Sequence, residues 1–275
     1  MANITAAEVN TLRKMTGAGM MDCKKALIES EGDLDKAVDI LRKKGQKVAS
    51  KRADKEANEG IVIAKTTEDK KFGAVVKISC ETDFVAKNDE FIGFANDVMA
   101  LVLSAKPADI DALNALEFRG DKIASALTEF VGKTGEKMEL AGYECMTAEN
   151  VSAYNHMGNK LATILGLNKA GTDETGHQLA MQVAAMNPVA VDKEDVSQEV
   201  IDKEIEIGKD IARQEGKKEE LLEKIAMGKL NKFFKENTLA NQAFIRDTKI
   251  NVAQFLKDTD AELKVTGFKR LMLGA

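Results

Sequence analysis

The sequence has no tryptophan, two prolines, two histidines and three cysteines in 275 residues, and each scarcity closes off a class of protein. Cys23, Cys80 and Cys145 are odd in number and far apart. They support neither a disulfide framework nor a Cys-x-x-Cys metal or redox site, and read most simply as reduced thiols. His156 and His177 stand in no metal-ligand spacing with a Cys or a carboxylate, and no Ser-His or Cys-His signature surrounds them. His177 reads as an ordinary helix residue. His156, on an expected strand beside a glycine turn, reads equally as an exposed recognition residue or a structural hydrogen-bond partner. No run of about 18 apolar residues occurs, and Met1-Ala2-Asn3-Ile4-Thr5 lacks the basic start and apolar run of an export signal. The expectation is therefore a cytoplasmic chain without a membrane partner. Nor is there an excess of positive charge: the net charge is -5, with a pI near 5.4. A nucleic-acid partner held by phosphate neutralisation is disfavoured, which leaves another protein or a small molecule.

Methionine is plentiful, at twelve residues, and 31% of residues are charged. Unbranched Met suits helix packing and adaptable contact surfaces. The length allows roughly two domains with ample core. The first fifty residues read as three short helices: Thr5 caps a run to Met15, Met20 to Ser30 follows, and Asp33 caps Leu34 to Lys43. Gly17, Gly19 and Gly32 punctuate them. Leu12, Met15, Ala26, Leu27, Leu34, Ala37, Val38 and Leu41 would supply one small core. The charged stretch from Lys51 to Gly60 reads as a linker or solvated helix end.

From Gly60 the order becomes strand, turn, strand, helix: Ile61 to Ala64, the polar turn Glu68 to Lys71, a half-buried strand from Phe72 to Cys80, and a helix from Glu90 to Ala105. The order recurs in strands Asn150 to Met157 and Leu161 to Lys169, joined at Gly158-Asn159, and a helix from Glu174 to Met186 closed by Asn187-Pro188. Two related β-β-α halves are expected, with helices over Asp109 to Leu116 and Lys122 to Val131 between them. Val196, Val200, Ile201, Ile205, Gly208 and Ile211 then form one helical stripe. Leu221, Leu222, Ile225, Ala226, Leu230 and Phe233 form a second, beyond the break at Gly216-Lys217-Lys218. This reads as a helical hairpin whose stripe is more often an internal seam than a binding groove. Val252 to Leu256 reads as a short helix and Leu263 to Leu273 as a strand able to complete the second half.

Nucleotide motifs fail on inspection. Gly132-Lys133-Thr134 imitates the end of a phosphate loop, but Leu127 stands where its first glycine should be. Thr16-Gly17-Ala18-Gly19-Met20 joins two helices and lacks the third glycine of a dinucleotide fingerprint. No enzyme constellation survives, and no cofactor is expected. What remains is Cys80 to Asn88, which sets Asp83 and Phe84 side by side on a loop between a strand and a helix. Taken alone, Asp83 reads first as a turn or cap and Phe84 as packed on its own core. The alternative is an aromatic and a carboxylate offered to a pocket on a partner.

Two segments tip that balance: Leu12-Arg13-Lys14-Met15-Thr16-Gly17-Ala18-Gly19-Met20-Met21-Asp22-Cys23-Lys24-Lys25-Ala26-Leu27, and Thr82-Asp83-Phe84-Val85-Ala86-Lys87-Asn88. Together they resemble the bacterial elongation factor Ts (EF-Ts) family. The likeness extends to Tyr154-Asn155-His156, Met181 to Ala185, Asp195-Val196-Ser197, Gly228-Lys229-Leu230 and Val265-Thr266-Gly267-Phe268. The resemblance implies an α+β fold in four parts. A three-helix ubiquitin-associated-like (UBA-like) domain spans 1–53 and a first core lobe 54–140. A second lobe is built from 141–190 and 235–275, and a helical hairpin or coiled coil over 191–234 is inserted in it. Many members continue past the last strand into a further helical module, whose contacts are not expected from a sequence ending at Ala275.

The implied activity is guanine nucleotide exchange on the translation GTPase elongation factor Tu, without covalent chemistry. Thr82, Asp83, Phe84 and Val85 would enter the GTPase near its magnesium site and dislodge the ion, which bridges phosphate oxygens. Arg13, Met20 and Met21 match the family's N-terminal grip on the GTPase. Gly135, His156, Ile245 and Arg246 match contact regions of the core, although Arg246 stands where an apolar residue is expected. Dimerisation through the hairpin or core is left open. The rival is a non-catalytic adaptor, for which the three-helix unit and hairpin would suffice.

Overall fold

The computed structural model describes residues 4–274. Residues 1–3 and 275, included in the first and last expected parts, lie outside the described residues. Three helices open the chain: α1 (Ala6–Thr16), α2 (Met20–Glu29) and α3 (Leu34–Lys51). Thr5 and Glu8 form a reciprocal capping box, and Gly17 takes the left-handed conformation at φ 66° that ends α1. Asp33 caps α3, its carboxylate accepting from Lys36 N at 3.0 Å. Leu12, Cys23, Leu27 and Ala37 are fully buried between the helices, with Leu34, Val38 and Leu41 at the edge. Met15, expected inside, is 58% exposed. It lies about a quarter turn off the face carrying Val9, Leu12 and Thr16.

α3 also runs beyond its expected end at Lys43, because its second half has packing of its own. Val48 and Ala49 lie against the core of the first sheet. That sheet is antiparallel, in the order β1 (Glu59–Thr66), β2 (Phe72–Cys80), β5 (Met138–Thr147). Between β2 and β5 come α4 (Asp83–Ala86), α5 (Asp89–Ala105), α6 (Ile110–Ala115), the short ribbon of β3 (Glu117–Phe118) and β4 (Asp121–Lys122), and α7 (Ile123–Thr134).

The second sheet winds the same way: β6 (Asn150–Asn155) and β7 (Leu161–Leu167) are followed by α8 (Asp173–Met186), and β10 (Val265–Met272) returns to pair antiparallel with β7. Each half is thus two strands, a helix, and a third strand on the second strand's free edge. β5 is absent from the sequence reading because its alternation slips. Met138, Leu140 and Tyr143 are the buried residues, and the pairing with β2 shifts register between Lys77 and Ile78. The boundary expected at 140/141 falls inside this strand, all of which belongs to the first sheet.

Phe91, Phe94, Val98 and Val102 of α5 cover one face of the first sheet, and Phe94 stacks edge-on to Phe118 at 5.3 Å. The opposite face meets the second sheet, where Val62, Ala64 and Val75 pack with Val151, Ala162 and Ile164. β2 is therefore buried on both faces, not half-buried as expected. Asn155 joins the sheets, its side chain accepting from Ala64 N at 2.7 Å and donating to Ala64 O at 2.9 Å.

Between α8 and β10 the chain makes an antiparallel pair, α9 (Gln198–Gln214) and α10 (Glu219–Asn237), followed by β8 (Ala243–Phe244), β9 (Asp247–Asn251) and α11 (Val252–Thr259). The seam uses Gly208, Ala212, Leu222, Ala226 and Leu230. Its small residues bring the helices so close that Ile211 and Leu221, expected in the stripes, stay 38% and 46% exposed at its flank. No helix among the described residues is long and apolar enough to cross a membrane.

Candidate functional site

β2 delivers the chain to Thr82, whose extended backbone (φ -122°, ψ 153°) starts α4. The segment is thus a single capped helical turn where a loop was expected. The Thr82 hydroxyl accepts from Val85 N at 3.4 Å and donates to Glu136 Oε1 at 2.7 Å, while Thr82 N donates to Glu136 Oε2 at 3.1 Å. At the other end Asn88 caps α5, accepting from Glu90 N at 2.8 Å. With both ends fixed, Val85 and Ala86 lean on the first core and Phe84 faces solvent, 83% exposed. The ordinary reading of the pair is overturned: Thr82, not Asp83, is the cap, and Phe84 does not pack on its own core.

Asp83 faces outward too, and accepts from Lys87 Nζ at 2.6 Å. That bond holds its carboxyl below the usual range, with Lys160 of the β6–β7 turn acting in the same direction. Two residues earlier the carboxylate of Glu81 is gripped by the Arg52 guanidinium through both oxygens and by Lys137 N. The Arg52 bond is the main reason its acidity is strengthened to about 2. Burial pushes the Cys80 thiol up to about 12, so it stays protonated and unreactive while donating to Thr82 O.

The other expected residues fall into three places. Gly135 closes α7 in the left-handed conformation (φ 74°), and the next residue, Glu136, holds Thr82, so Gly135 adjoins the Asp83–Phe84 turn. His156 sits exposed past the end of β6, its Nδ1 3.0 Å from the Tyr154 hydroxyl. The Tyr154 ring stacks edge-on against His177 of α8 at 5.7 Å. One turn back along α8, Glu174 lies 3.8 Å from the guanidinium of Arg246. Ile245 donates its N–H to the buried Gln182 of the same helix at 2.8 Å. α8 therefore gathers His156, Ile245 and Arg246 onto one half of the molecule. Arg13, Met20 and Met21 are exposed on the N-terminal bundle, the two methionines by 54% and 64%.

Sequence reasoning missed Arg52, Glu81, Glu136 and Lys87, the residues that hold the turn. Lys87 was legible as an (i, i+4) partner of Asp83. Arg52 and Glu136 lie 29 and 54 residues from their partners, and no local pattern announces such pairs. No group of three or more His, Cys, Asp or Glu residues that could hold a metal ion occurs among the described residues.

The sequence model described as elongation factor TS matches residues 81–275. Over its whole length the chain is 51% identical to the elongation factor Ts of Christiangramia forsetii, with 100% of each chain covered. It is 49% identical to that of Amoebophilus asiaticus, with 99% of each chain covered. With that of Flavobacterium psychrophilum it shares 50% identity over 100% of both.

Proposed function

The chain belongs to the elongation factor Ts family, and from that premise we propose that it is the guanine nucleotide exchange factor for elongation factor Tu in translation elongation. It has no covalent chemistry of its own on this reading. The observation that carries the mechanism is Phe84, a large apolar side chain left 83% exposed on a backbone fixed at both ends. Such a side chain is preorganised for a pocket on another molecule, since little conformational freedom is lost on docking. Asp83 beside it brings negative charge to the same pocket. Its exposed ion pair with Lys87 is of a weak class and yields readily to a better partner. The turn Thr82 to Val85 enters the GTPase near its magnesium ion, and the displaced ion leaves the phosphate charge poorly neutralised.

Magnitude sets the division of labour. A thousandfold faster release requires about 4 kcal/mol of preferential stabilisation. Burying one Phe contributes about 1.5–3 kcal/mol. The wedge therefore acts within a larger grip: Arg13, Met20 and Met21 from the N-terminal helices, and Gly135, His156, Ile245 and Arg246 from the core. Linkage then requires GDP to weaken binding of the exchange factor by the same factor.

On this reading the three helices are a UBA-like unit, followed by two core lobes that divide near Ala148, with α9 and α10 as a coiled-coil insertion in the second lobe. The test is release of fluorescent GDP from elongation factor Tu. Asp83→Ala with Phe84→Ala is expected to melt as the parent does and to lose most of the stimulation. Stimulation at the parent's rate from the double variant would sink the wedge, whereas a parent protein that does not stimulate release would leave the adaptor reading standing.

A further inference from the structure

Two helices end at the root of the Asp83–Phe84 turn. α3 has 18 residues, a rod of about 27 Å. Its first half contributes Leu34, Ala37, Val38 and Leu41 to the core of the N-terminal bundle. Its Lys44 forms an ion pair with Asp22 of α2, beside Met20 and Met21. Its second half crosses α7 at Gly45, continues over the first-sheet core through Val48 and Ala49, and ends at Arg52.

α7 runs to its own end at Thr134 and, through Gly135, delivers Glu136 and Lys137 to the same place. Arg52 and Lys137 N hold the two carboxylate oxygens of Glu81, and Glu136 holds Thr82 by its N–H and hydroxyl. A guanidinium fork on a carboxylate fixes orientation as well as distance, which a single-point ammonium does not. Residues 81 and 82 are thus fastened to both helix ends immediately before Asp83 and Phe84.

We propose that the Arg52–Glu81 pair and Glu136 form a positioning clamp, through which the N-terminal bundle's hold on a partner sets the placement of Asp83 and Phe84. The clamp touches no reacting atom; it acts through Phe84. This rests on the reading of that turn as the nucleotide-releasing element, and the experiment separates the two.

The experiment is stopped-flow release of fluorescent GDP from elongation factor Tu, read as a maximal rate and a half-saturating concentration. Arg52→Met keeps an unbranched, flexible stem, though a shorter one, and removes the fork. It lowers the maximal rate about tenfold to a hundredfold, the larger loss being that of a full ångström's misplacement, and leaves the half-saturating concentration in place. Arg52→Lys restores part of the loss. Glu136→Leu, which removes both acceptors that hold Thr82, shows the same pattern and serves if Arg52→Met folds poorly. In the Phe84→Ala background neither change lowers the rate further, whereas a general loss of structure would. Loss that adds to Phe84→Ala, loss through a raised half-saturating concentration, or parent rates in both clamp variants overturns the clamp. Parent rates in Phe84→Ala alone overturn the reading of the turn itself.

Discussion

Gly45 of α3 and Gly132 of α7 meet backbone to backbone. A Cβ on Gly45 would lie 3.0 Å from Thr128 O and 3.5 Å from Gly132 Cα, and one on Gly132 would lie 3.1 Å from Gly45 Cα. This crossing seats the long helix against the core. Gly45→Ala gains about 1 kcal/mol of helix propensity. Against that, it forces backbone groups apart at a cost of about 1–3 kcal/mol. The steric cost wins because a carbonyl and a neighbouring backbone cannot rotate away as a flexible side chain can. The expected outcome is a thermal midpoint lower by a few degrees. A midpoint raised above the parent's would show that the helices can part freely here.

The hairpin offers a sharper version of the same test. Gly208 faces Ala226, 3.1 Å from where its own Cβ would stand, while Gly228 on the same hairpin has nothing within 4 Å. Gly208→Ala should lower the melting midpoint by prising α9 from α10. Gly228→Ala should raise it, by up to about 1 kcal/mol of helix propensity. Opposite signs from one substitution on adjoining helices are the readout. Equal signs would mean that propensity, not the close seam, governs the hairpin.

Glu81 gives the stability a pH signature. Its acidity is strengthened from an ordinary 4.5 to about 2 by the Arg52 guanidinium, the burial opposing that shift being outweighed. A folded-state value below the unfolded one means the contribution is fully present above about pH 4.5 and is lost as pH falls toward 2. Glu81→Gln removes it at every pH. The gap in melting temperature between parent and variant is therefore largest at neutral pH and shrinks between pH 4.5 and 2. Other carboxylates titrate in both proteins and cancel in the difference. A gap that stays constant over that range would mean that Glu81 contributes only shape.

Where one local rule acted alone, the sequence was a sufficient guide. Thr5, Asp33 and Asn187 marked helix ends by cap chemistry that depends on the next few residues only, and β2 and α5 ended where expected. The misreadings share a non-local cause. β5 was hidden by a bulge fixed by its partner, and α3 was cut short because the packing that prolongs it comes from α7, some eighty residues on. Met15, Ile211 and Leu221 fitted helical stripes but flank them: Met15 lies about a quarter turn off the buried face of α1, and the small residues of the hairpin seam let α9 and α10 close before Ile211 and Leu221 are covered. At the candidate site, the turn bearing Asp83 and Phe84 was legible from its neighbours in sequence. The clamp beneath it depends on which helix ends arrive there.

Phe84 and Phe91 stand on neighbouring helices and obey opposite rules, since the first is 83% exposed and the second 1%. Phe91 fills the first core between α5 and the sheet, so Phe91→Ala removes buried area and leaves a cavity, at a cost of about 3–5 kcal/mol. Phe84→Ala removes a side chain that the folded chain hardly covers, and its melting curve should overlay the parent's. If Phe84 is there to enter a partner, the same substitution should slow stimulated GDP release severely while stability is untouched. A residue kept for packing would show the reverse. A measurable fall in melting temperature for Phe84→Ala, with release intact, would place Phe84 among the structural residues and remove the wedge from the mechanism.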